Sequence, residues 1–194
     1  MLLPGLHLLN TPVMGLQTGG ELARTSRAII DPGTLEIVAY EVDGPLLDTH
    51  PSLLRIADIR EFSNIGFIVD SSDEFVAPDD IIKLKKIYDL QFVLEGKTVI
   101  DEKKHKLGKV IDYVVETGGF LIQQLNVRRP LFKSLSDTEL LVHRTQITEI
   151  NDRVIVVHSR PTAPEPVAQA VKTAYINPFR KNAQVEHIRS NDQR

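Results

Sequence analysis

The sequence predicts an all-β protein built as two tandem small barrels, and three observations carry that prediction. Short β-branched runs are separated by turn residues at even spacing. Residues 11–71 are echoed in order by residues 97–159. Between the two copies, residues 78–89 have the spacing of one short helix.

The β elements follow from local chemistry. Ile29-Ile30 and Ile37-Val38-Ala39-Tyr40-Glu41-Val42 are strand-forming runs on either side of Asp31-Pro32-Gly33-Thr34. Pro presets φ and Gly relaxes it, so this tetrapeptide is a turn. The second copy places Glu116-Thr117-Gly118-Gly119 at the same point. Upstream, Gln17-Thr18-Gly19-Gly20-Glu21 and Glu102-Lys103-Lys104-His105-Lys106 are polar hairpin connectors. Residues 1–10 are apolar but broken by Pro4 and Gly5, which suits a flexible arm or a short edge strand.

Beyond the connectors the copies stay in register. Leu22 matches Leu107, Ala23 matches Gly108, and Ile29-Ile30-Asp31 matches Val114-Val115-Glu116. Gly33, Leu35, Ile37 and Val42 match Gly118, Phe120, Ile122 and Val127. Near the ends, Leu53-Leu54 with Ile59 is set beside Leu140-Leu141 with Ile147, and Phe67-Ile68-Val69 beside Ile155-Val156-Val157. Short strands with a turn between each pair favour a small barrel or curled sheet.

In the linking segment, Ile81, Leu84 and Tyr88 share one helical face. Asp79 and Asp80 stand at its start and Lys85 and Lys86 near its end, which complements the helix dipole. The expectation is a helix packed between the barrels. This gives four spans: a first barrel at 1–77, the helix at 78–90, a second barrel at 91–159 and a tail at 160–194. Pro161, Pro164 and Pro166 make the tail's beginning an extended spacer. Val167, Val171, Tyr175 and Phe179 then concentrate apolar side chains, the first three at helical spacing, as a candidate docking stripe.

Two motifs resemble a known family. The first is the hairpin from Val99 to Val110, with Leu107-Gly108 at its centre. The second is the ending Ile147-Thr148-Glu149-Ile150-Asn151-Asp152-Arg153-Val154-Ile155-Val156-Val157. Together they are similar to the PRC-barrel family, the barrel of the photosynthetic reaction-centre H subunit and of the C-terminal domain of the ribosome-maturation factor RimM. The first copy departs from the pattern at Ala23 and by an inserted loop from Asp43 to Pro51. The resemblance implies two SH3-like barrels and roles in docking and assembly, with no catalytic residues.

Composition narrows the chemistry further. With 194 residues, 42% hydrophobic and 25% charged, the chain is ordinary for a soluble globular protein. It has no cysteine, which excludes disulfides, zinc–thiolate sites and cysteine nucleophiles. His7, His50, His105, His143, His158 and His187 lack metal-ligand spacing, and no glycine-rich phosphate loop is present. The expectation is a protein that is not an enzyme and uses no cofactor or metal. It has no membrane-spanning run and is expected in the cytoplasm.

Charge is unevenly distributed. The net charge of -3 is too balanced for a protein that coats nucleic acid along its length. Residues 1–96 hold 7 Lys+Arg against 15 Asp+Glu, whereas residues 97–159 hold 10 against 8. Lys103, Lys104 and Lys106 at one connector, with Arg128, Arg129 and Lys133 in a loop, form the candidate interaction surface. The expected partners are proteins, with RNA or the ribosome as the alternative, and exposed strand edges offer a route to a homodimer.

Overall fold

A computed structural model describes residues 1–45, 47–130 and 139–158. Lys133 and the tail residues Val167, Val171, Tyr175 and Phe179 lie outside the described residues.

The protein is mostly β. The strands are β1 (Leu2–Pro4), β2 (Pro12–Gly15), β3 (Glu21–Asp31), β4 (Glu36–Asp43), β5 (Ser52–Arg55), β6 (Glu61–Ser63), β7 (Gly66–Val69) and β8 (Phe75–Val76). After the helix α1 (Ile82–Asp89) come β9 (Thr98–Asp101), β10 (Lys106–Glu116), β11 (Leu121–Arg128), β12 (Glu139–His143), β13 (Ile147–Ile150) and β14 (Val154–Val157).

The two halves repeat one pairing scheme. In the first, β3 pairs antiparallel with β2 and β4, β4 with β5, and β7 returns parallel to β2. In the second, β10 pairs with β9 and β11, β11 with β12, and β14 returns parallel to β9. Even the irregularities coincide. β3 is bulged at Thr25/Arg27 and Ile29/Ile30, and β10 at Val110/Asp112 and Val114/Val115. A bulge bends and twists a strand locally, so both halves turn at the same places.

The halves join through one antiparallel bridge, Leu121 opposite Glu36. The fourteen strands among the described residues thereby form one sheet, whose main path runs from β13 at one end to β6 at the other and is not closed.

Register corrects one match read from the sequence. Leu53 lies opposite Glu41 and Leu54 opposite Tyr40, while Leu141 lies opposite Asn126 and Val142 opposite Leu125. The equivalents are therefore Leu53 with Leu141 and Leu54 with Val142. An apolar run such as Leu140-Leu141-Val142 does not reveal its own phase, and a slip of one residue exchanges the faces.

One core serves both halves. It contains Val13, Ile37, Tyr40, Val42, Leu54, Phe67 and Val69 together with Val99, Val110, Val115, Ile122, Leu125, Val127, Val142, Ile155 and Val157. Phe120 brings an aromatic ring from the second half to Tyr40, Phe62 and Phe67 of the first, with centroid distances of 6.4, 6.5 and 5.9 Å.

The chain start is another tie across the halves. β1 pairs with the end of β10, and Leu8 in the following 3-10 turn is fully buried. Gly5 lies against the Tyr113 ring, where an added Cβ would stand 2.4 Å from Cε2. Residues 1–10 thus form an edge strand and a core anchor.

The helix forms where its sequence directs it, introduced by a 3-10 turn over Pro78–Asp80. Its stripe of Ile81, Leu84 and Tyr88 covers Ile29, Ala39 and Leu53, all from the first half. The expected position between the halves is thereby corrected. The stripe finds its complementary apolar patch on β3, β4 and β5.

Candidate functional site

The register of β10 and β11 decides which predicted cations meet. Lys109 lies opposite Arg128, and Lys106 is three residues earlier on the same strand. Lys106, Lys109, Arg128 and Arg129 line a groove of about 400 Å³ with Gly96, Gly108, Val110, Ile111 and Pro130. No acid is among these lining residues. Lys109 was missed in the sequence because, isolated between Gly108 and Val110, it belongs to no visible cluster.

Gly108 makes the close approach of the strands possible. A Cβ there would stand 2.2 Å from the Arg128 carbonyl oxygen and 2.7 Å from a Val127 methyl. In the first half the glycine has moved to the other strand. Ala23 replaces Gly108, and Gly44 replaces Arg129, with a Cβ on Gly44 meeting the Leu22 carbonyl oxygen at 2.7 Å. One strand or the other must lack a side chain at this crossing.

The first half has the equivalent groove, about 460 Å³, lined by Leu9, Asn10, Arg24, Thr25, Ser26, Asp43 and Gly44. Here the cation is already engaged. Arg24 donates two hydrogen bonds of 2.7 Å to Glu21 and one of 2.9 Å to the Asn10 carbonyl. The registers set Glu21 against Lys106, Asp43 against Arg128 and Arg24 against Lys109. Asp43 in the lining of the first groove and Glu21 beside it are thus replaced by cations in the second. Among the described residues, no ion pair involves Lys106, Lys109, Arg128 or Arg129. Glu139 is opposite Arg128 on β12 but outside the groove lining.

Lys103 and Lys104 stand on the exposed turn before Lys106 and do not line the groove. Asp101 holds this turn. Its carboxylate accepts from the His105 backbone N–H at 2.7 Å and lies 2.9 Å from the His105 ring. Burial alone would raise the Asp101 pKa, but these hydrogen bonds and the imidazole charge outweigh it and hold the carboxyl below its ordinary range. His158 pairs with Glu102 beside it. Among the described residues, no group of three or more metal-binding side chains converges.

Lys97 is a buried cation the sequence did not single out. Its ammonium donates to the Asn151 and Asp152 carbonyls at 3.0 and 2.6 Å and sits 4.5 Å from the centroid of the Phe92 ring. Burial pushes its pKa down, opposed by the Asp152 charge. Its contacts pin the β13–β14 turn.

No helix among the described residues is long and apolar enough to cross a membrane. Neither a family model nor a curated protein matches the chain.

Proposed function

We infer that this chain is a non-enzymatic adaptor of the PRC-barrel type, holding macromolecules together through protein–protein contacts. In this reading residues 1–77 and 91–159 act as two tandem SH3-like barrel modules around a shared core. The supporting observation is the duplicated groove: one place in the repeat, presented twice on one folded unit, lined by Arg24 and Asp43 in the first half and by four cations in the second. A fold that keeps a surface feature through duplication while changing its charge is suited to meeting two different partners.

A second reading, a ribosome- or RNA-associated factor, draws on the four cations of the second groove, since phosphate contacts need no base-specific chemistry. Affinity purification of the full chain after mild crosslinking separates the two. Recovery of a stoichiometric protein partner supports the adaptor. Recovery of ribosomal subunits, lost on nuclease treatment, supports the second. Recovery of the chain alone overturns both.

A further inference from the structure

We propose that the groove between β10 and β11 is a binding site for an extended acidic peptide segment of a partner protein, with carboxylates on Lys106, Lys109, Arg128 and Arg129 and an apolar side chain against Ile111 and Pro130. The proposal rests on the adaptor reading and names the partner's chemistry.

Three observations select this occupant. The charge difference between the equivalent grooves is local: Asp43 in the first lining and Glu21 beside it give way to Arg128 and Lys106, and no described acid forms an ion pair with the resulting cations. The half-buried Ile111 and Pro130 add apolar surface to the lining, so a ligand gains most if it carries apolar groups between its charges. Among the described residues that line the groove none is aromatic, so these offer bases nothing to stack on. The first groove of a second copy does not fit either, because Arg24 lines it together with Asp43.

The test uses the full chain and a fluorescein-labelled peptide of alternating glutamate and leucine, read by fluorescence anisotropy. An oligouridylate of equal charge and a lysine–leucine peptide serve as comparisons. Binding of the acidic peptide that weakens with salt, and by roughly tenfold or more in Arg128→Glu/Arg129→Glu, supports the site. Lys109→Gln is expected to weaken it less, and Arg24→Gln, in the equivalent groove, to leave it unchanged. Circular dichroism and melting of each variant verify the fold. Absent binding, equal binding by the folded double variant, or tighter binding of the oligouridylate overturns the proposal. If the double variant still captures the wild-type protein partner, the groove assignment fails while the adaptor reading stands. If the peptide binds as expected but no partner is recovered, the adaptor reading fails alone.

Discussion

Leu35 and Phe120 occupy the same place in the two halves, and each accepts a hydrogen bond from the strand that follows the other. Ile37 N–H donates to the Phe120 carbonyl and Ile122 N–H to the Leu35 carbonyl, both at 2.9 Å. Both residues have positive φ, 55° and 52°. Such a backbone costs free energy for a residue with a side chain, and it persists here because the reciprocal bonds and two buried side chains hold it. This local two-fold arrangement fuses two repeats into one core.

Phe120→Ala is therefore expected to destabilise the whole unit, by about 3–5 kcal/mol. Urea unfolding followed by circular dichroism and by tyrosine fluorescence should give coincident transitions in both wild type and variant. Two separated transitions in the wild type would show that the halves are energetically independent.

The halves differ in what covers β5 and β12. Leu53 is 0% exposed beneath α1 and β8, whereas its equivalent Leu141 is 58% exposed. Leu53→Ala is expected to cost about 2–5 kcal/mol, and Leu141→Ala within about 0.5 kcal/mol of none. Equal losses, measured by denaturant midpoints, would mean that Leu141 is covered as Leu53 is.

Tyr40 is fully buried, and its hydroxyl finds no hydrogen-bond partner among the described residues. Burial pushes its pKa well up, with Tyr113 adding to the effect. Tyr40→Phe keeps the ring beside Phe67, at a centroid distance of 5.3 Å, and removes the unpaired hydroxyl. Stability is expected to rise by about 1 kcal/mol. A loss instead would reveal a partner for the hydroxyl.

At the strand crossing, Gly108→Ala drives a methyl into the Arg128 carbonyl. The expected cost is about 1–3 kcal/mol, with the β10–β11 groove distorted. Amide exchange at Val110 and Val127 reads the local effect. An unchanged melting temperature would show that the strands separate freely here.

Acid should loosen the turn that carries Lys103 and Lys104. Folding lowers the pKa of Asp101, so its ionised form stabilises the native state. That contribution is present above the ordinary carboxylate range and is lost as pH falls through the lowered folded value. Asp101→Asn is expected to lower stability near neutral pH and to flatten this part of the acid limb. An unchanged acid profile would show that His105 does not act through this carboxylate.

Much of this was legible in the residues themselves. Asp31-Pro32-Gly33-Thr34 and Glu116-Thr117-Gly118-Gly119 marked equivalent turns, and Ile81, Leu84 and Tyr88 marked the helix, because turn chemistry and side-chain periodicity are local. Arg128 and Arg129 stood out as neighbours in sequence. The glycines of those turns suggested where φ turns positive, yet the chain turns at Leu35 and Phe120, since the reciprocal bonds between the halves outweigh the local preference.

Strand register and tertiary contact decided the rest. The sequence determined two β-rich repeats, a helix and an uneven charge. Only the fold placed Lys109 opposite Arg128, set α1 on the first half and seated Leu8 in the core. It also matched a groove of mixed charge to a basic one. These are contacts between residues far apart in the chain, fixed by which edges and faces can be buried together, and no local pattern encodes them.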